Sequence, residues 1–231
     1  MLLFSLECSA TAASAAIYRD EKLLGEEFLN APQTHSVTLL PMAKSLLEHT
    51  GIFPAQIDYY AVSRGPGSFT GLRIGIAAIK GLAFPDDTPC IGVSTPEAIA
   101  YGLLGFEGTV IPMMDARCGQ VYTALFQGKD GRLTRLSEDE ALPLSELKEK
   151  LKSCTGPLWL CGDGAHLGLA AWGEELPVRM APAHLCCQRA SAVGLAAMQH
   201  LGEAVSPAAL VPCYLRPANA MTLAERQKKA E

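Results

Sequence analysis

Short apolar runs, bounded by glycine or small polar residues, alternate along the chain with longer stretches of helical spacing. Leu2–Leu6 reads as a buried strand, and Ser9–Ser14 as a turn of small residues. Ser14–Tyr18 and Lys22–Leu29 read as a strand pair turning at Arg19-Asp20-Glu21. Helical spacing runs over Thr34–Thr50 and stops at Gly51, with Pro41 expected to kink it or to mark an early turn. A strand at Asp58–Ser63 leads through the tight loop Gly65-Pro66-Gly67 into a helix over Phe69–Phe84. A strand at Cys90–Val93 and a helix at Thr95–Leu104 complete the first half.

The order then recurs. Thr109–Asp115 is an apolar strand, Gln120–Gln127 and Leu133–Leu136 are further strands, and Leu144–Lys152 is a helix. Leu158–Cys161 runs into Gly162-Asp163-Gly164, a helix follows the glycines, and then come a short strand at Val178–Met180 and a long helix at Ala183–Leu201. In each half the first strand ends in a carboxylate, Glu7 or Asp115, and the fourth strand runs into a G-x-G loop. A repeated unit of about 105 residues, three antiparallel strands followed by β–α units, predicts an α/β fold. It is the duplicated ribonuclease-H-like architecture of the actin/Hsp70/sugar-kinase (ASKHA) group. The expected subdomains are 1–105 and 106–221, with the helix 183–201 packing back on the first and 222–231 as a polar tail.

The helix after Gly65-Pro66-Gly67 is apolar nearly all round. Phe69, Leu72, Ile76, Ile79 and Ala83 form one face, while Gly71, Gly75, Ala78 and Leu82 form a second of mostly small residues. Such a helix is buried on both sides. Either both sides belong to the chain's own core, or one side meets a close-packed partner helix. In the preceding helix Leu39, Met42 and Leu46 face away from Val37, Leu40, Ala43 and Leu47. Two adjacent two-faced helices favour a four-helix interface with a second subunit.

Composition narrows the functions. The chain has 231 residues, 49% hydrophobic and 19% charged, with net charge −5. Sequence-independent nucleic-acid binding needs a strong basic footprint, so the chain is not expected to grip nucleic acid by itself. The apolar content excludes disorder, and no apolar run reaches the length of a membrane helix. The start of the chain lacks the basic region of a signal peptide. The eight cysteines show no C-x-x-C spacing and read as free thiols in a reducing cytosol; Cys186 and Cys187 are adjacent on a predicted helix and point different ways. The five histidines form no H-x-x-H or H-x-x-x-H pair, and no metal site is expected.

In this architecture nucleotide phosphates sit between the halves. Glu7, Ser9, Gly65, Gly67, Asp115, Gly162 and Gly164 are the candidates for such a cleft, in vestigial form. Each glycine reads equally as a plain strand-to-helix turn, and Asp163 equally as a helix cap. Glu7 is one methylene longer than an aspartate, which moves its charge by about 1.5 Å and spoils precise metal placement. Ser68 has no base near it in sequence and takes no nucleophilic role.

Gly65–Gly75 resembles the signature of the TsaB family, also called YeaZ, of bacterial tRNA threonylcarbamoyladenosine (t6A) biosynthesis. Leu6-Glu7-Cys8-Ser9 is similar to the family's D-T-S-like start, and His35-Ser36 with Leu39-Leu40-Pro41 is similar as well. So are Gly92-Val93-Ser94-Thr95 with Glu97-Ala98, Met114-Asp115-Ala116-Arg117 with Gly119-Gln120-Val121-Tyr122, and Tyr214-Leu215-Arg216.

The resemblance implies a non-catalytic, cytoplasmic subunit. Its partner TsaD would perform threonylcarbamoyl transfer to adenosine 37 of tRNAs that read ANN codons. TsaD carries an H-x-x-x-H where this chain has Thr95 and Ile99, neither of which replaces an imidazole. The implied pairing surface is the two N-terminal helices, through Leu39, Met42, Leu46, Phe69, Leu72, Arg73, Gly75, Ile76 and Ile79. Self-pairing would use the same helices, an ATPase subunit, TsaE, would dock on the pair, and tRNA would be met only indirectly. No tightly bound cofactor is implied, with ATP or ADP at the interface of the complex. The alternatives are an independent ATP-dependent phosphotransferase or glycoprotease-like enzyme, and an unrelated dimer with no link to tRNA.

Overall fold

The computed structural model describes residues 1–216; the expected tail at 222–231 lies outside them. The first sheet holds β1 (Leu2–Glu7), β2 (Ala13–Arg19), β3 (Lys22–Leu29), β4 (Tyr59–Gly65) and β5 (Cys90–Ser94), in the order β3-β2-β1-β4-β5. β1, β2 and β3 pair antiparallel, and β4 and β5 add in parallel. Nearly every side chain of β1 and β2 is buried, as expected for strands covered on both faces.

The second sheet repeats the scheme around β6 (Gly108–Asp115). Its second strand is split into β7 (Gln120–Thr123) and β8 (Phe126–Lys129), and its third into β9 (Arg132–Arg135) and β10 (Glu140–Pro143). The continuous strand expected over Gln120–Gln127 is therefore broken. At the break the Leu125 amide bonds Ser137 Oγ (3.0 Å), and its carbonyl accepts from the Leu136 amide (2.7 Å). β11 (Leu158–Cys161) and β12 (Val178–Met180) add in parallel, so each sheet reads third-second-first-fourth-fifth. This is the duplicated ribonuclease-H-like fold.

Three helices belong to the first half, α1 (His35–Thr50), α2 (Phe69–Ala83) and α3 (Thr95–Tyr101), and three to the second, α4 (Leu144–Leu151), α5 (Ala165–Trp172) and α6 (Ala190–Ala197). α1 and α2 cover one side of the first sheet. On its other side α6 packs Ala190, Val193 and Ala197 against Leu3, Ala16 and Ile91. α3 bridges the halves, because Ile99, Ala100 and Leu103 share a core with Val110 and Phe126.

The single long helix expected over Ala183–Leu201 does not form. A short 3-10 turn at Ala183–Leu185 is followed by non-helical chain through Cys186 and Cys187, and α6 starts only at Ala190. Its first amides are taken by the first sheet: Ala190 N–H donates to Ser14 Oγ (2.7 Å) and Ser191 N–H to Glu26 Oε1 (3.0 Å). These distant acceptors satisfy the orphan donors of the helix start and fix its position. α1, in contrast, runs unbroken through Pro41. Pro41 and Val37 are both exposed, so the Val37 carbonyl that loses its partner is open to water.

Candidate functional site

The outward faces of α1 and α2 differ from the expected ones. The core face of α1 is Leu39, Ala43, Leu46 and Leu47, while Val37 and Leu40 are exposed. Leu46 is drawn inward because β3 carries glycine beneath it: a Cβ on Gly25 would stand 2.9 Å from Leu46 Cδ1. Leu39 and Leu46 are thus core residues, and Met42 is half-buried against the same core.

On α2 both predicted faces are buried in the chain itself. Leu72 (1% exposed), Gly75, Ile76 and Ile79 are all buried, and Ile76 and Ile79 share a core with residues of β1, β4 and α1. The small-residue face meets the end of β1, where a Cβ on Gly75 would lie 2.7 Å from Cys8 Sγ. Of the nine residues expected on the partner surface, Arg73 is exposed, Phe69 and Met42 are half-buried, and the other six are core.

What α1 and α2 do present is an apolar groove of about 1070 Å³. Leu40, Pro41, Leu47, Ile52, Phe53 and Leu82 supply its apolar wall, and Lys44 and Glu48 its polar rim. Phe53 is 71% exposed and Leu40 51%. Sequence reading passed over Phe53; its signal is an aromatic residue directly after the helix stop at Gly51-Ile52.

A second, polar cleft of about 380 Å³ lies between the halves. Ser9, Gly67 and Asp115 line it, joined by Ser68, Arg117 and Asp163. Glu7 does not. Its carboxylate is wholly buried and accepts from the Ser9 amide (2.5 Å) and from the Ser63 hydroxyl. Burial pushes this carboxyl above the usual range, and the hydrogen bonds from Ser63 and Ser9 pull the other way.

The glycines mostly make room for the chain itself. A side chain on Gly67 would stand 2.6 Å from the Ser9 carbonyl, one on Gly164 would stand 2.8 Å from the Asp115 amide, and one on Gly162 would overlap the Met113 carbonyl. Gly65 lies away from the cleft, against the carbonyl of Cys213. Ser68 caps α2 by accepting from the Gly71 amide (3.2 Å). Asp163 makes no cap; it accepts from Gln188 Nε2 (2.6 Å). The residues therefore match a nucleotide site only in part: Ser9 Oγ is buried without a hydrogen-bond partner at the cleft wall, while Glu7 is tied up beneath it.

Thr95 and Ile99 are buried at the start of α3. Among the described residues no three His, Cys, Asp or Glu side chains converge as a metal-binding group, and all eight cysteines are free. No helix there is long and apolar enough to cross a membrane.

Known proteins resemble the chain over most of its length. The family profile described as TsaD: tRNA N6-adenosine threonylcarbamoyltransferase matches residues 29–154. The tRNA threonylcarbamoyladenosine biosynthesis protein TsaB of Bacillus subtilis is 31% identical over 220 residues, covering 95% of this chain and 96% of that protein. TsaB of Escherichia coli is 34% identical over 167 residues, covering 71% of this chain and 72% of its own. Among solved structures, YeaZ from Pseudomonas aeruginosa superposes with a TM-score of 0.77 at 27% identity, over 93% of this chain and 99% of that one.

Proposed function

The chain belongs to the TsaB family, and on that premise we propose that it serves t6A formation on tRNA as a non-catalytic subunit that pairs with TsaD. The observation that carries the pairing is the groove beside α1, where Leu40 and Phe53 stand in water. Exposed apolar surface of this kind marks a protein interface. Its polar rim of Lys44 and Glu48 matches the usual anatomy of an apolar centre edged by charge.

The non-catalytic reading rests on the site chemistry. The carboxylate that ends β1 spends its hydrogen bonds on Ser9 and Ser63 and does not reach the cleft. The start of α3 offers a threonine and an isoleucine, neither of which is an imidazole ligand. This chain's part is to present a rigid helix layer to TsaD, with TsaE docking on the pair. The same layer pairs two copies when TsaD is absent.

The low charge and acidic balance leave tRNA contact to the partner, in the cytoplasm. No cofactor is held tightly by this chain alone. ATP or ADP is taken at the junction of the subunits.

Leu40→Asp tests the proposal. Co-purification of the variant with TsaD, read beside t6A in tRNA, is expected to show loss of both while the fold persists. Full t6A formation after a confirmed loss of pairing would sink it.

A further inference from the structure

After α6 the chain returns along the first sheet, where Val205 bridges Cys90 and Lys80 Nζ bonds the Ala208 carbonyl (3.1 Å). It then closes one side of a smaller pocket of about 190 Å³ beside the cleft, which shares Gly67, Ala116 and Tyr122 with it. The Cys213 amide donates to the Arg64 carbonyl (2.7 Å), and the Cys213 carbonyl fills the space that a side chain on Gly65 would need. Tyr214 stacks on Phe69, ring centroids 5.0 Å apart, and its hydroxyl accepts from Arg73 Nε (3.1 Å). Arg73 in turn lies 4.0 Å above the Phe69 ring. Two residues later Arg216 reaches the other half: Nη1 donates to the Ala116 carbonyl (2.8 Å), and the guanidinium stands over Tyr122 (5.9 Å).

Four residues thus join the end of β4 and the start of α2 to the Ala116–Tyr122 segment of the other half. They also cover part of Phe69 and engage the exposed Arg73 at the start of α2. We propose that Cys213–Arg216 is a latch: closed, it holds the two halves together beside the cleft and shields Phe69 at the start of α2; released, it lets the halves part there and frees that ring for a partner. The geometry favours reversibility. The strap has no regular secondary structure, and the bond that crosses between the halves comes from a single side chain. Elements held by few, partly exposed contacts open at low free energy. Gly65 is reserved for this contact, which gives the first glycine of the loop a role separate from the cleft.

The shielding half of the proposal rests on the pairing with TsaD; the latch itself does not. Arg216→Ala in the full chain separates them. Amide exchange is expected to quicken about fivefold or more at Gly65–Gly71 and at Gln120–Tyr122, with β1 and β2 unchanged. Unchanged exchange at both segments overturns the latch. A uniform rise that includes β1 and β2 overturns it too, because the strap would then be holding the whole fold rather than this junction. Affinity for TsaD is expected to rise about threefold or more, since a larger fraction of the chain has the surface free. Unchanged or weaker binding overturns the shielding. If neither wild type nor variant binds TsaD, the pairing itself has failed, and the exchange pattern still decides the latch.

Discussion

α2 lies so close to the end of β1 that a side chain on Gly71 would overlap the carbonyl oxygen of Cys8. The same approach lets Cys8 Sγ bond the Gly71 carbonyl (3.1 Å). Gly71→Ala must push the helix off the sheet, and overpacking of this kind costs about 1–3 kcal/mol or more. Gly81, on the exposed side of the same helix, has nothing within 4 Å of an added Cβ. Gly81→Ala is expected to stabilise by about 0.5–1 kcal/mol through helix propensity alone. Denaturant unfolding of the two variants should give opposite signs.

That pair shows what was legible in the sequence. Strand, glycine loop and two-faced helix are local patterns, and the stretch from Asp58 to Phe84 displayed all three. The duplication was legible because a carboxylate-ended strand and a G-x-G loop recur in each half. The occupant of each helix face was not. Small residues at 71 and 75 say that something approaches closely, and the something is Cys8 of the same chain. On α1 two apolar sets share helical spacing, and the choice between them is made by Gly25, a strand away. The break before α6 was hidden for a similar reason, since Ser14 and Glu26 supply its cap from far along the chain. The strap carries no periodicity, so only the folded chain reveals what Tyr214 and Arg216 touch.

The corrected faces reassign the informative mutations. Leu72 is buried (1% exposed), and Leu72→Ala should cost about 2–5 kcal/mol by leaving a cavity. Leu40→Asp should leave stability within about 0.5 kcal/mol, because Leu40 is exposed. Its affinity for TsaD should fall about tenfold or more, equivalent to about 1.4 kcal/mol. Thermal unfolding and a binding titration on both variants distinguish core from interface.

Glu7 offers a cleaner electrostatic test. Its folded carboxyl holds a proton more readily than an exposed one, with burial as the main cause. The folded state therefore binds more protons than the unfolded state between the usual and the raised value. Stability from this group is complete below the usual value and falls as pH rises through the raised one. Glu7→Gln keeps the shape and one acceptor for the Ser9 amide, and its Nε2 can donate to the Ser63 hydroxyl oxygen in place of the bond it loses, so it should flatten that fall and match or exceed wild type at neutral pH. Glu7→Ala leaves the Ser9 amide and the Ser63 hydroxyl without this acceptor and should cost about 1–3 kcal/mol. Denaturant midpoints across acid and neutral pH check both.

His200 carries a pH dependence whose sign follows from its bonds. Nε2 lies 2.9 Å from Glu97 Oε1, and Nδ1 lies 2.9 Å from Glu203 Oε1. Ionised carboxylates only accept, so both ring nitrogens must donate, and the pair of bonds requires imidazolium. Burial works against that charge, and the hydrogen bonds to Glu97 and Glu203 outweigh it, raising the pKa above the ordinary histidine value. The surrounding groups keep this balance: Arg135 holds the other oxygen of Glu97 (3.2 Å) and also Asp139 (2.8 Å), while Tyr101, on the same helix as Glu97, stays protonated. The stabilisation is fully present below the ordinary histidine value and is lost as pH rises through the raised one. One charged hydrogen bond then fails between α3 and the chain after α6, a loss of about 1 kcal/mol for a partly exposed pair. Thermal unfolding from about pH 6 to pH 9, around the histidine range, should show wild type losing this increment relative to His200→Gln. A constant difference across that range would show that the imidazolium bridge contributes nothing to the fold.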